Sequence, residues 1–192
     1  MFYFDEVTST NDILKEKAEQ GTPEGTVVIA GSQTAGRGRR GKKWLSMPGK
    51  GVYLSLLLRP HWPATESAFV GFISAVSIAR SLSRLDIKEI RLKWPNDILV
   101  NGKKIGGVLV EPRISRGSID FVVVGIGINV SYDQNDFKLL GNDAATSCRL
   151  ERVKASCEAV AVSLITEFDV CYYTAQRGDK GAILDEWSKR RI

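Results

Sequence analysis

Between Ile90 and Val130 apolar runs alternate with short turn signals, and few folds accept that pattern. Ile90 to Trp94 reads as a strand leading into Pro95-Asn96-Asp97, and Ile98 to Val100 resumes it. Asn101-Gly102 signals a type I′ hairpin, since both central residues of that turn need positive φ. Lys103 to Glu111 then returns antiparallel, and a second turn near Arg116-Gly117 leads into Asp120 to Val130. Strands linked by hairpins in succession make a meander, so the sheet is mixed or antiparallel. Glycines 106, 107, 125 and 127 lie inside these strands. Interior glycines weaken a strand, and their usual reason is a bulge or a close approach to the backbone. Four on adjacent strands predict the floor of a cleft.

The flanking segments complete an α+β pattern over a single domain, residues 1–192. Phe2 to Val7 reads as a short strand. Thr8-Ser9-Thr10-Asn11 offers several N-caps for a helix that stops at Gly21. Thr26 to Ala30 and Gly51 to Arg59 read as strands. Glu66 to Leu85 is a largely apolar helix suited to lie across a sheet face. After Asn129 the chain loosens (S-Y-D-Q-N-D-F), and two helices follow, Lys154 to Gln176 and Gly181 to Arg190.

The stretch Ser32 to Trp44, S-Q-T-A-G-R-G-R-R-G-K-K-W, carries five cations and three glycines between two strands. No Asp or Glu occurs from Gly25 through Thr65, so these charges have no counter-ion nearby in sequence. Glycine lets backbone N–H groups converge on an anion, and arginine adds forks matched to phosphate or carboxylate. A solvated basic turn or a nucleic-acid patch would have the same charge. The loop is not a P-loop, because G-x-x-x-x-G-K-[ST] is missing. It is not a dinucleotide fingerprint either, because a strand and not a helix follows G-R-G-R-R-G.

Composition narrows the classes. The net charge is +5 and much of it sits in this loop, which favours a local anionic ligand over a nucleic-acid-coating surface. Cys148, Cys157 and Cys171 lack C-x-x-C spacing, so neither a disulfide framework nor a zinc site is indicated. Cys157 and Cys171 read as small core residues. His61 is the only histidine and lies in a turn-like segment, which removes His-rich metal sites. No run approaches the roughly 20 apolar residues of a membrane span, and M-F-Y-F-D-E lacks the basic start of a signal peptide. The expected location is cytoplasmic, with no membrane partner.

S-T-N at 9–11, Q-T-A-G-R-G-R-R-G-K-K-W at 33–44, K-W-P-N-D at 93–97, K-I-G-G-V-L-V-E at 104–111 and G-I-G-I-N-V at 125–130 occur in that order. Together they resemble the catalytic domain of biotin protein ligases, from about Phe4 to Trp187. The resemblance implies a mixed, largely antiparallel sheet flanked by helices, the class II aminoacyl-tRNA synthetase/biotin ligase-like fold. It implies a two-step reaction with ATP and biotin. Biotin is activated to biotinyl-5′-AMP and then passed to a lysine of a biotin carboxyl carrier protein. Mg²⁺ would arrive with ATP, and no protein-only metal site is visible.

By the same resemblance Arg37 and Arg39, helped by Arg40, face the phosphates, and Lys104 bridges the biotin carboxylate and the α-phosphate. Ser9, Thr10 and Gln33 would hold biotin's ureido ring, while Gly36, Gly107 and Gly125 let backbone approach it. Trp44, Lys93, Asn96 and Asn129 would face the adenylate, and Asp97 would orient or deprotonate the acceptor lysine. Several have a plainer reading, Lys104 as a solvated hairpin lysine like Lys103. Ser9 and Thr10 could cap a helix, Trp44 could anchor the loop, and Asn129 could end a strand. Asn96 and Asp97 suit a proline turn, and Lys42 and Lys43 read as loop solvation. The winged helix-turn-helix of some members and the C-terminal SH3-like barrel have no counterpart in these residues, so a short form without DNA binding is expected. A sheet edge in this fold leaves room for a homodimer. A lipoate or octanoate ligase on the same fold, a nucleic-acid-binding module and a non-catalytic biotin or adenylate sensor remain as alternatives.

Overall fold

Alternation along the strands sorts the sheet into two faces with different coverings. The computed structural model describes residues 1–192. Seven strands form one sheet: β1 (Phe2–Val7), β2 (Val27–Gln33), β3 (Gly51–Leu58), β4 (Ile90–Lys93), β5 (Asp97–Val100), β6 (Lys103–Ser115) and β7 (Ser118–Asn129). Their order is β1-β2-β3-β7-β6-β5-β4. β1 and β2 run parallel and every other neighbouring pair is antiparallel, so the sheet is mixed, as the pattern predicts. At the β5–β6 turn Asn101 and Gly102 have φ of 50° and 77°, the left-handed pair that type I′ requires.

One expectation is overturned here. Ile98 to Val100 does not resume the strand before it: β5 doubles back on β4, with Lys93 opposite Asp97. Trp94, Pro95 and Asn96 make the reversal, with a cis peptide between Trp94 and Pro95. Proline has no N–H for a ladder, so a strand is easily ended there. The meander therefore has four strands, β4 to β7.

Five helices complete the chain: α1 (Thr10–Glu19), α2 (Phe69–Arg84), α3 (Gln134–Leu139), α4 (Cys157–Gln176) and α5 (Lys180–Arg190). On one face α2 and α4 bury Val52, Leu54 and Leu56 of β3 and Val122, Val124 and Ile126 of β7 in a cluster of 34 residues that also takes in Ile183 of α5. On the other face only α1 packs, setting Leu14 and Ala18 against Val28, Leu57, Phe121 and Val123 in a cluster of six. Beyond α1 that face carries Ser55 on β3, Gly125 and Gly127 on β7, and Gly107 on β6, paired in register. Side chains shrink to nothing where the helix ends, and a trough is left. Gly106 pairs with Ile128 on the core face, so three of the four interior glycines form the floor.

The loosened stretch after Asn129 contains a helix that the sequence reading omits. Asp133 caps α3 by accepting from the N–H groups of Asn135 and Asp136, and Asp136 returns the bond to Asp133 in a capping box. Cys148 and Cys171 are buried, Cys157 is partly so, and all three are free thiols. No helix is long and apolar enough to cross a membrane.

Candidate active site

The start of α1 lies on the glycine floor. Ser9 takes the N-cap position, yet its buried side chain makes no capping hydrogen bond, which leaves its hydroxyl to the cavity. Thr10 donates its N–H (2.9 Å) and hydroxyl (3.2 Å) to Gln33 Oε1, and Gln33 Nε2 donates to Ser46 Oγ at 2.9 Å. Ser55 Oγ lies 2.7 Å from Thr10 Oγ1 and 2.5 Å from Asn11 Oδ1. Gly125 has to be bare: a Cβ there would stand 2.3 Å from Asn11 Oδ1.

The cationic loop is a small hairpin and not an open nest. Trp44 N–H donates to Gly36 O (2.9 Å) and Gly38 N–H to Lys42 O (2.6 Å), with Arg39–Gly41 at the tip. A Cβ at Gly36 would meet the loop's own Trp44 carbonyl at 2.4 Å, so Gly36 serves the hairpin's closure. The far limb is fastened by two buried phenols. Tyr53 and Tyr132 hydroxyls lie 2.7 Å apart, and between them bond Met47 through its O (3.0 Å) and N–H (2.9 Å). Burial pushes both phenols up, so they stay neutral. The Trp44 indole lies over β6 and β7, where a Cβ would stand 2.3 Å from it at Gly127 and 3.2 Å at Gly107. Its Nε1 is buried without a partner, and Lys104 Nζ sits 5.4 Å from its ring centre.

Counter-ions missing from the local sequence arrive from other elements. Arg37 pairs with Asp12 at 2.7 Å and Glu111 at 3.1 Å, and Lys104 with Asp97 at 2.5 Å. Glu111 also accepts from Asn11 Nδ2 at 2.7 Å and Lys15 Nζ at 2.6 Å. Burial raises the Glu111 carboxyl, but hydrogen bonds from Lys15 and Asn11 and the charges of Lys15 and Arg37 outweigh it and hold the pKa below its usual range.

These groups enclose a cavity of about 310 Å³. Only 5 of its 22 lining residues are hydrophobic, which suits a charged ligand. The structure brings together there Ser9, Thr10, Gln33, Arg37, Arg39, Arg40, Trp44, Asn96, Asp97, Lys104, Gly107 and Gly125. Lys42 and Lys43, read as solvated, line it too. Gly36 and Lys93 do not line it, and Lys93 is exposed at the end of β4. Asn129 borders a smaller neighbouring cavity of about 120 Å³ with Trp44, Tyr132 and Phe137, and its amide donates to Thr146 O at 3.0 Å.

Sequence reasoning missed Asn11, Ser55 and Glu111 as contributors, while Gly127 was already read as part of the floor. Ser55 had a signal, a hydroxyl in the otherwise apolar run L-S-L-L-L at a buried position. Glu111 had one as well, as an acid closing the apolar V-L-V of β6.

A family model described as Biotin/lipoate A/B protein ligase family matches residues 2–129. The bifunctional ligase/repressor BirA of Bacillus subtilis is 41% identical over 147 residues, 77% of this chain and 45% of that protein. A biotin–[acetyl-CoA-carboxylase] ligase of Paracoccus denitrificans is 40% identical over 54% of this chain and 44% of its own length. The chain thus spans about half the length of these curated relatives. Among solved structures, the biotin protein ligase of Aquifex aeolicus in complex with biotin and ATP superposes with a TM-score of 0.82 at 28% identity, covering 100% of this chain and 78% of that one. The helix-flanked mixed sheet is the fold of that enzyme.

Proposed function

This chain belongs to the biotin/lipoate A/B protein ligase family, and from that premise we propose that it is a biotin–protein ligase. A biotin carboxylate oxygen attacks the α-phosphorus of ATP, pyrophosphate leaves, and biotinyl-5′-AMP remains. A carrier-protein lysine then attacks the acyl carbon, loses its proton, and releases AMP. The first step brings a carboxylate against a polyanion, and like charges repel. Fixed positive charge aimed at the reacting oxygens is the largest aid a protein can give.

The observation that carries this reading is that Arg37 and Lys104, which line one cavity, are each paired with carboxylates. Asp12, Glu111 and Asp97 occupy these cations in the way that ligand anions would. Arg37, Arg39 and Arg40 bind the phosphates, and Lys104 bridges the biotin carboxylate and the α-phosphate. Ser9, Thr10 and Gln33 hold the ureido ring over Gly107 and Gly125. Trp44, Asn96 and Asn129 bound the adenylate. Asp97, released by Lys104, orients the incoming lysine and takes its proton. Mg²⁺ enters on the triphosphate, its usual mode; no three His, Cys, Asp or Glu side chains group to hold it alone.

The test is pyrophosphate release from ATP with biotin, lipoate or octanoate as the acid. Biotin alone is expected to support it. Release with lipoate or octanoate instead would move the chain to the other branch of its family, and release with none would remove the activity.

A further inference from the structure

Glu111 pairs with Arg37 but takes no step in the reaction proposed above, yet three side chains from α1 and the loop converge on it. It projects from β6 on the open face, in register with Val123 and beside the cavity. Asn11 Nδ2 donates to it from the first turn of α1, Lys15 from the next turn, and Arg37 Nη2 from the loop. From Asn11 the bonds continue to Ser55, on to Thr10, through the Thr10 N–H to Gln33, and from Gln33 to Ser46. Ser46 and Arg37 stand on opposite limbs of the same loop. The polar side chains therefore form a ring that leaves the loop at Arg37, crosses the cavity floor, and rejoins the loop at Ser46.

The chemistry of the donors gives this ring a direction. An ionised carboxylate only accepts, so Asn11 must turn its NH₂ toward Glu111 and its carbonyl oxygen toward Ser55. Ser55 is fully buried and has no water to turn to. We propose that Glu111 is a positioning residue: it sets the Asn11 amide and tethers Arg37, so the polar end of the cavity and the cationic loop are arranged together. This rests on the biotin-activating reading of the site and adds a residue that need not touch ligand.

Glu111→Gln keeps the shape and removes the charge, so the amide cannot accept from Asn11, Lys15 and Arg37 together. In the ligand-free full chain, limited trypsin digestion is expected to cut the 37–43 loop several-fold faster in the variant. The melting temperature should stay within about 4 °C. In biotin-dependent ATP–pyrophosphate exchange, the KM for biotin should rise by about tenfold or more while kcat stays within about threefold. Glu111→Asp, which keeps the charge on a shorter stem, should recover part of the KM. Unchanged loop cleavage together with unchanged KM would overturn the proposal. So would a loss of activity that follows a fall in melting temperature at constant KM, the mark of a purely structural residue. If the wild-type chain shows no exchange, the biotin reading falls, and the digestion decides the tether by itself.

Discussion

The arrangement of single atoms around Gly127 is where the site is least forgiving. A Cβ there would lie 2.3 Å from Trp44 Cε2 and 2.5 Å from Cζ2 and Nε1, against the roughly 3.5–4.0 Å of ordinary contact. The indole also leaves a buried N–H unmatched, a cost of about 1–3 kcal/mol. The Lys104 ammonium near its ring returns only about 0.5–1 kcal/mol. Packing on bare backbone must therefore hold Trp44 down, and Gly127→Ala should lift it. Hydrogen exchange of the Trp44 indole N–H, followed by NMR, should be much faster in the variant; an unchanged rate would mean that the contact is not what holds the ring. The sequence reading located the glycine floor but not its occupants. A missing side chain is visible in G-I-G-I-N-V, while the side chain that fills the space comes from another segment: Asn11 over Gly125, Trp44 over Gly127.

Among the elements, α1 is weakly held relative to its importance. Its first turn carries Thr10 and Asn11 into the site, yet its apolar face rests on a cluster of 6 buried residues, against 34 on the opposite face. Leu14 is fully buried in that small cluster. Leu14→Ala should cost about 2–5 kcal/mol in urea unfolding and loosen the polar ring as well. A loss below about 1 kcal/mol would show that α1 is held from elsewhere. This helix was legible because cap residues and a terminal glycine bracket it. The β4–β5 reversal was not, because Trp-Pro-Asn between apolar residues reads equally as a kink in one strand or a turn between two. Six-residue α3 is too short for periodicity to register, although Asp133 and Asp136 spell its capping box.

Across the whole molecule, charge is set against the sheet's open face. The net +5 is unremarkable as a total, but the loop and β6 bring Arg37, Arg39, Arg40, Lys42, Lys43 and Lys104 to one cavity. Segment order along the chain made the family legible from five short blocks, two of which hold Asp97 and Glu111, while the pairing of these carboxylates and of Asp12 with the cations of the site had no signature in sequence. In the proposed function these cations let two mutually repelling anions meet. Pyrophosphate release with biotin and ATP, compared between the wild-type chain and Arg37→Ala, tests it most directly. A fall of roughly 10²–10³-fold is expected with the fold intact, since the ion pairs lost are partly exposed and worth about 0–1 kcal/mol. Equal rates from the two proteins would contradict it.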